Sequence, residues 1–579
     1  MKKSTFFILL ACATFSQIKS QPLFNRAWGI VKAPYMPSIA EVNLLTGDLY
    51  FYVKYGVANE IHRVNRNNAA SSLIYAFPLP KKDESTVFNS FKFDNNGNLI
   101  IVGRTLHEGL ATSGAYSSQK IPEPYGSSGF IMKIRASGQV VWFTYFYGLS
   151  QNKEQLAIDN NNNIYVISKR YKDSVLSGSP FQNTGDTSSN INIQDVINKF
   201  DPNGKLLWST FYAKDNSMIT AIEAGDNGLY VYGDHFGSNK QSNYFGTKNS
   251  YQQYASGIMI WNQASSTSNV FLSKFNFNGT RAWSTYFGNE ISKSVYNDVT
   301  MNIKTLKVIG DDAYFLTKHT IVNFPAPSVA TANVYLTSAP SDLDPVTLTK
   351  INGSGKREWT TYLHAGETLS TTTSGNELHL SAAIEEKHPN INLLTDSKSY
   401  QQQHNGLKDV YSYTMSLDGK SINYSSFYGF EGNDVGVSFP TVNGYYVLGK
   451  ASRYEDDPTS FITPGFPSDA FFKTLNDGYV GNFISFFTNK GLSTSNTAVQ
   501  NQFKIYPNPA LEIVNIQTSE PLTEDTIISV FDVAGKRVLM MQAKAADLNQ
   551  INVSSLNSGV YILQLHSPTV NQSFKFIKK

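Results

Sequence analysis

The sequence predicts an all-β protein, a seven-bladed β-propeller followed by a small C-terminal β-sandwich domain. Two observations predict the propeller. An aromatic strand motif recurs along most of the chain, and each copy is accompanied by tight turns of Gly and Asn with almost no helical periodicity between them. The composition agrees, because aromatic residues make up 13% of the chain and suit the pleated, half-buried surface of a strand.

The best-preserved copy of the motif is Trp-Ser-Thr-Tyr-Phe-Gly at positions 283–288. Further copies begin at positions 142, 208, 359, 424 and 483, and a degenerate first copy begins at Ile74, which gives seven units. Most copies follow a basic residue and, five positions after it, a Gly turn residue, as in Lys274 with Gly279, while Arg63 with Asn68 and Thr414 with Gly419 fit less well. A strand, a tight turn and a second strand form a hairpin, since Gly tolerates the positive φ that such turns need.

A second hairpin lies between successive copies, most clearly from Leu156 to Ile167 and more loosely from Ile39 to Val53. Four strands in each of seven units predict a propeller. Small residues such as Ala157 and Ala221 suit the crowded centre, so we expect the Leu156-type strand innermost and the Trp strand outermost. In that phase the blades follow each other whole, without a strand borrowed across the ring closure. In the other phase, residues 39–57 would complete the blade begun at 469–487.

The chain resembles the SBBP-type seven-bladed propeller repeats of secreted bacterial proteins. The resemblance rests on the recurring lysine, the Asp/Asn-Gly turn, the Trp283 strand and the hairpin at 94–103. It covers residues 22–488 and implies the fold, but it is poorly specific for activity.

The N-terminus has the features of a signal peptide over residues 1–20, with Lys2 and Lys3 ahead of an apolar run. A lipoprotein cleavage site at Cys12 is the alternative, although the apolar run before it would be very short. Cleavage near Ser20 would remove the only cysteine and three lysines, taking the formal net charge from +3 to zero. A neutral mature chain has no overall field that would attract nucleic acid or anionic lipid.

A polar linker at 489–502 leads to a second domain at 503–579. Its landmarks are Tyr506-Pro507-Asn508-Pro509, a turn containing Gly535 and Lys536, and a strand beginning at Gly559. These residues resemble the type A sorting domain of type IX secretion, against the alternative of an ordinary terminal sandwich with chance motifs. The resemblance implies export by the type IX secretion machinery, then usually removal of the domain and release or attachment to surface lipopolysaccharide.

No strong catalytic signature is present: the chain lacks an H-E-x-x-H zinc helix, a G-x-S-x-G elbow, a phosphate-binding glycine loop and paired metal-ligand cysteines. We therefore predict no catalytic residue, metal or cofactor. The Asp-rich turns, such as 94–98, have the oxygen atoms of a calcium loop but lack its distant bidentate carboxylate, so they are interpreted as hairpin turns. The scattered histidines are interpreted as buried or rim residues.

The best binding candidate is the long insertion 237–269, on the face where the long connections are expected to gather. Its aromatic residues stand among amide side chains, a combination that stacks on sugars or peptides and bonds them directionally. The candidate ligand-binding residues are Tyr244, Phe245, Tyr254 and Trp261. An aromatic-Gln pair recurs at 181–182, 251–252 and 400–401, so Tyr251 is expected to pack structurally.

Acidic residues also follow several of the Trp strands, and they could bind a cation or act on a sugar if they converged near the axis on the open face. They are Asp215, Glu290, Asp298, Glu367, Glu431 and Asp434. The leading hypothesis is a secreted or surface-displayed protein that binds a glycan or a protein without catalysis. A polysaccharide lyase or glycoside hydrolase using such carboxylates is the alternative, and a scaffold subunit of a surface or motility assembly is the second alternative.

Overall fold

In the computed structural model the chain forms two compact units, residues 1–490 and 491–579. The structure describes residues 23–579 apart from 33–38, 56–57, 79–85, 122–127, 149–153, 177, 237–241, 256–268, 289–290, 295–303, 321–328, 341–344, 373, 430–431, 453–480, 489–502, 519–521, 523–525, 533–536, 547 and 567–570. The predicted signal peptide and linker lie outside the described residues.

The first unit is all-β and consists of small antiparallel sheets in chain order. The first sheet contains β2(Ile39–Val42), β3(Leu49–Tyr55), β4(Ala58–Val64) and β5(Ser71–Ala76), and the second contains β6(Val87–Phe93), β7(Leu99–Thr105), β8(Ser128–Ile134) and β9(Val140–Phe146). The third contains β10(Leu156–Ile158), β11(Ile164–Tyr171), β12(Ile193–Phe200) and β13(Leu206–Phe211). The fourth contains β14(Ser217–Ala224), β15(Leu229–His235), β16(Asn269–Phe275) and β17(Arg281–Phe287). The fifth contains β18(Ile291–Ser294), β19(Leu306–Ile309), β20(Asp312–Thr320), β21(Val346–Ile351) and β22(Arg357–Leu363).

The remaining strands of this unit form an eight-stranded sheet made of two four-stranded parts. One part contains β23(Thr368–Thr371), β24(Glu377–Glu385), β25(Lys408–Ser416) and β26(Ile422–Tyr428), and the other contains β27(Asn433–Thr441), β28(Gly444–Ser452), β29(Gly481–Thr488) and β1(Asn25–Lys32). A single parallel pair, Lys408 with Asn433, joins the two parts. A short 3₁₀ helix, Ile391–Leu393, lies between β24 and β25.

The first strands of these sheets lie side by side in a closed ring. The contacts run from β2 to β6, β10, β14, β19, β23 and β27, and β27 returns to β2. The Trp strands β9, β13, β17, β22 and β26 lie at the outer edges of their sheets. The predicted order, with the Leu156-type strand inside and the Trp strand outside, is therefore confirmed for these sheets.

The prediction that no strand is borrowed across the closure is wrong. The strand at 483–487, expected at an outer edge, pairs with β28 on one side and with the N-terminal strand β1 on the other. Thus β1 completes the last sheet from the far end of the unit. The physical reason is that β29 would otherwise present an unpaired edge, and pairing the two ends of the unit in one sheet removes it.

Each recurring Trp in the outer strands packs against the Gly turn of the next sheet. The ideal Cβ positions on Gly204, Gly279, Gly355 and Gly419 lie 2.8–3.1 Å from ring atoms of Trp142, Trp208, Trp283 and Trp359. Three of the indoles also donate a hydrogen bond to a carbonyl of that turn, as Trp283 Nε1 does to the oxygen of Gly353 at 2.9 Å. The recurrence of Trp and Gly is thus a contact between neighbouring sheets.

The Asp-rich turns are hairpin turns, as predicted. Asp94 Oδ1 accepts hydrogen bonds from the backbone N–H groups of Asn96 and Asn98 at 3.0 and 2.8 Å, and its other oxygen pairs with Lys133 at 2.8 Å. Neighbouring turns also bond to each other, since the N–H of Asn95 donates to Asn162 Oδ1 at 2.8 Å. The turn carboxylate is therefore occupied by its own backbone and by the recurring lysine.

The second unit is a sandwich of two sheets that share one apolar core. One sheet contains β30(Phe503–Tyr506), β31(Ile513–Thr518) and β34(Leu548–Asn552), and the other contains β32(Ile527–Asp532), β33(Arg537–Gln542), β35(Gly559–His566) and β36(Asn571–Lys578). Asn508 of the Tyr-Pro-Asn-Pro motif binds the last strand, accepting from the N–H of Ile577 and donating to the oxygen of Lys575. Gly535 and Lys536 lie outside the described residues.

Candidate functional site

A cavity of about 350 Å³ lies where the seven first strands meet. It is lined by β2, β6, β10, β14, β19, β23 and β27 and by the turn residues 43–45 and 94–95. Cavities of this size hold small organic ligands. The described residues of the long connections at 105–128, 169–192, 233–269, 319–346 and 382–408 are not among its lining residues, whereas hairpin-turn residues are, so the cavity extends to the end of the ring where the first hairpins turn.

The register of the sheets places four charged residues of the cavity at equivalent positions of their first strands. They are Glu41, Lys92, Glu223 and Lys307. In five of the sheets one residue of the second strand pairs with the recurring basic residue on one side and with a residue of the first strand on the other. The residues related in this way are Arg63 and Glu41, Lys133 and Lys92, Lys274 and Glu223, and Lys350 and Lys307. In the β10 sheet the equivalent position holds Ala157.

These charges form two separate groups of ion pairs. The carboxylate of Glu223 bridges two ammonium groups, with Lys92 Nζ and Lys307 Nζ each 2.7 Å from one of its oxygens. Although burial opposes its charge, Lys307 and Lys92 hold the pKa of Glu223 well below its usual range. Lys304, just before β19, pairs with Glu41 of β2 at 2.7 Å.

Glu154, next to β10, is a further carboxyl group in the cavity and has a different environment. Its Oε1 accepts a hydrogen bond from the backbone N–H of Thr305 at 2.7 Å, and its Oε2 accepts one from the Thr305 hydroxyl at 2.9 Å. Burial outweighs these bonds and the attraction of Lys92 and Lys304, and it raises the pKa of Glu154 to about 8. At neutral pH this side chain is therefore mostly protonated.

Apolar side chains form much of the remaining wall. Phe91, Leu306, Leu369 and Phe439 are almost completely buried behind the charged groups. At the turn end, Leu44 and Leu45 are 61% and 69% exposed. The site thus combines apolar surfaces with fixed charges, an arrangement that can hold a ring by contact and a polar substituent by hydrogen bonds.

The predicted binding residues of the long insertion lie elsewhere. Phe245 is fully buried and stacks on Phe271 with ring centroids 3.9 Å apart, so its prediction as a ligand-binding residue is wrong: its ring is part of the core. Tyr244 is largely enclosed and donates its hydroxyl hydrogen to Gln182 Oε1. Tyr254 is half exposed and stays a prediction, and Trp261 lies outside the described residues.

The recurring aromatic-Gln pairs bind the edges of the outer strands. The backbone carbonyl oxygens of Gln182, Gln252 and Gln401 accept hydrogen bonds from backbone N–H groups of the outer strands. The donors are Phe211, Tyr286 and Phe427, respectively. Thr or Ser hydroxyls of the same strands accept the N–H groups of these glutamines. The connections therefore cover edges that would otherwise be exposed. The prediction that Tyr251 packs structurally is confirmed, since its ring lies beside Phe287 and under the guanidinium of Arg357.

The three acidic residues of the connections that the structure describes do not line the central cavity. Asp215 lies beside Lys214 and His235, Asp434 is completely buried, and Glu367 is absent from the lining. Glu290, Asp298 and Glu431 lie outside the described residues. Four histidines, His62, His235, His319 and His379, are buried, which confirms their predicted structural setting.

Sequence reasoning missed the acidic and basic residues that do line the cavity: Glu41, Lys92, Glu154, Glu223, Lys304 and Lys307. A signal was present for four of them. In the units beginning at β2, β6, β14 and β19, a charged residue interrupts an apolar strand two or three positions before the hairpin turn. A charge at that place in an innermost strand faces the axis and not solvent.

The fold and site define an all-β ring of small sheets around a charged cavity, joined to a small β-sandwich. Residues 504–579 match the family model of the secretion system C-terminal sorting domain. The protein is therefore exported by type IX secretion and is secreted or located at the cell surface. In the part of the chain that the structure describes, no helix is long and apolar enough to cross a membrane.

No curated protein matches the chain. Solved structures with similarity include the polysaccharide lyase Uly1, with 9% identity, a TM-score of 0.40, and coverage of 82% of this chain and 94% of that one. An ulvan lyase of family PL25 has 10% identity, a TM-score of 0.34, and coverage of 74% and 89%. A protein of unknown function from Bacteroides caccae has 11% identity, a TM-score of 0.25, and coverage of 58% and 94%. Such distant likenesses carry no information about activity.

Proposed function

We propose that this is a secreted or cell-surface binding protein whose residues 22–488 form a seven-bladed β-propeller and take a ligand into the central cavity. The observation that carries the proposal is the cavity itself, which is lined by seven ionisable side chains at the centre of a ring of seven strands. Maintaining the core alone does not require such charges, since burying ion pairs costs desolvation free energy that apolar side chains avoid.

The seven-bladed architecture is supported by the closed ring of first strands and by the Trp-to-Gly contacts between successive sheets. The sorting domain supports the location, because a protein carried across the outer membrane meets its ligand outside the cell. Tyr254 and Trp261 of the long insertion remain candidates for a second, peripheral contact. After export the protein is either released or attached to surface lipopolysaccharide.

The experiment is a glycan and protein array probed with the purified full chain. Ser370→Trp, which fills the cavity from β23, is compared with Ser421→Trp on an exposed turn. We expect a hit that disappears with Ser370→Trp and survives Ser421→Trp. Loss of the hit in Tyr254→Ala or Trp261→Ala instead would move the site to the insertion. If nothing binds, the binding proposal fails and the scaffold alternative gains.

A polysaccharide-acting enzyme is the second candidate, and the environment of Glu154 favours it. A carboxyl group that stays protonated at neutral pH can act as a general acid, and Glu41 and Glu223 supply further carboxylates in the same cavity. Incubation with a polysaccharide panel, followed by measurement of new chain ends, tests this candidate. Cleavage that is lost in Glu154→Gln would establish it, whereas binding without cleavage would exclude it for those polysaccharides.

A further inference from the structure

We propose that the central cavity recognises a carboxylate on its ligand, specifically that of a uronic acid residue, through Lys92, Lys304 and Lys307. The inference rests on the proposed function and names the ligand class for the same site. It follows from the hydrogen-bonding capacity of the three ammonium groups, from the charges that face them, and from the apolar surfaces beside them.

The lysines of the cavity have hydrogen-bond donors that the described residues do not use. An ammonium group has three N–H donors and no acceptor. Among the described residues, Lys92 and Lys307 each donate one hydrogen bond to Glu223, and Lys304 donates one to Glu41. Two N–H groups on each lysine therefore remain for water or a ligand. A ligand rich in acceptor oxygens complements this arrangement.

The charges favour an anion over a cation. The carboxylates of Glu41 and Glu223 pair with the three ammonium groups and offset two of their charges, and Asp94, which also lines the cavity, is paired with Lys133. Glu154 does not supply the missing negative charge at neutral pH, because burial keeps it largely protonated. One positive charge is left over, and a carboxylate would satisfy it.

The walls suit a sugar ring next to that carboxylate. Leu44 and Leu45 expose apolar surface at the turn end of the cavity, and Phe439 lies beside Lys304, whose Nζ is 6.0 Å from the centroid of its ring. Ser370, Thr371 and Asn43 add neutral hydrogen-bonding groups of the kind that bind hydroxyls. A pyranose carrying one carboxylate matches these three features together.

The groups that face Glu154 fix how binding should respond to pH. They are Lys92, Lys304 and Thr305, the hydroxyl of Tyr232, and the more distant Glu41, Glu223 and Lys307. When Glu154 ionises as the pH rises through about 8, it neutralises the remaining positive charge and repels the ligand carboxylate. Affinity for the anion should therefore fall between pH 7 and pH 9.

The test is isothermal titration of the full chain with D-glucuronate and D-glucose, which differ only in a carboxylate in place of a hydroxymethyl group. We expect glucuronate to bind at least about tenfold more tightly at pH 7, and Lys304→Met and Lys307→Met each to weaken it about tenfold or more. Lys307→Arg, which keeps the charge, should retain more affinity than Lys307→Met, and Lys420→Met on an exposed turn is the matched control. Glu154→Gln should bind with the same affinity at pH 7 and pH 9, unlike the wild type.

Three outcomes would overturn the inference. Equal affinity for glucose and glucuronate would reject the carboxylate while leaving a sugar-binding cavity in place. Inorganic sulfate that binds as tightly as glucuronate and competes with it would reduce the site to an anion site with no preference for a sugar. If glucuronate affinity is unchanged in Lys304→Met and Lys307→Met variants that circular dichroism shows to be folded, the cavity is not where the carboxylate binds.

Discussion

Replacing Gly355 by alanine tests the contact that joins one sheet of the ring to the next. Gly355 lies in the turn between β21 and β22 with a φ of +86°, in the left-handed region. An ideal Cβ there would lie 2.9 Å from Cδ2 and 3.1 Å from Cγ of Trp283, on the outer strand of the preceding sheet. The indole cannot move away freely, because its Nε1 donates a hydrogen bond to the oxygen of Gly353 at 2.9 Å.

Two costs therefore combine in Gly355→Ala. The left-handed backbone costs an L-residue about 1–2 kcal/mol, and overpacking against the ring costs about 1–3 kcal/mol. Together they lower the free energy of unfolding by about 2–5 kcal/mol. Gly375→Ala is the matched control, since its φ is +68° and no atom lies within 4 Å of its ideal Cβ. That variant should lose only the backbone contribution, about 1–2 kcal/mol.

Guanidinium denaturation of both variants and the wild type, followed by circular dichroism, measures these losses. The difference between Gly355→Ala and Gly375→Ala isolates the contact with Trp283. In a Trp283→Phe background this difference should shrink, because the smaller ring leaves room for the methyl group. Equal losses in the two alanine variants would refute the idea that the Trp-to-Gly contact excludes a side chain.

Three further predictions concern ring closure, the buried acid and export. Deleting Asn25–Lys32 exposes the edge of β29, so we expect a lower melting temperature and self-association by light scattering, and a stable monomer would contradict the closure by β1. Glu154 has a pKa of about 8 in the fold against an ordinary value near 4.5, so the wild type should lose stability as the pH rises from about 4.5 to 8, by at most roughly 5 kcal/mol. The Glu154→Gln variant should not show this loss of stability. Thermal unfolding of both proteins at pH 5 and pH 9 measures the loss. A stability difference between variant and wild type that is the same at both pH values would contradict the prediction. Deleting residues 499–579 should leave the protein in the periplasm, and its normal appearance outside the cell on fractionation would disprove the sorting role.

The hairpins and their order were predictable from local chemistry. A turn such as 94–98 is specified by its own residues, because Asp94 accepts the N–H groups that the turn leaves open and Gly97 supplies the positive φ. The recurrence of Trp and Gly at fixed spacing predicted equivalent sheets. The Tyr-Pro-Asn-Pro motif predicted the sorting domain, although the hydrogen bonds of Asn508 to the last strand could not be anticipated.

The binding site was placed less well, for two reasons. Aromatic residues among amides in a long connection have the same composition whether they bind a ligand or cover a strand edge, and Phe245 turned out to be core. Charged residues in the innermost strands were overlooked because each is a single interruption of an apolar run. That they line a common cavity is evident only from the strand register, which places Lys92, Glu223 and Lys307 at equivalent positions of neighbouring first strands.

By itself, the sequence determined the strands, the turns, the repeat and the route of export, because each depends on residues close together in the chain. Only the tertiary structure decided how the ring closes and where its charges meet. Strand β1 is more than 400 positions from β29, and the partner that occupies an open sheet edge depends on which ends the ring brings together. In the same way, Glu223 forms ion pairs with Lys92 of β6 and Lys307 of β19, and these strands come close to Glu223 only because the ring brings them together at its centre.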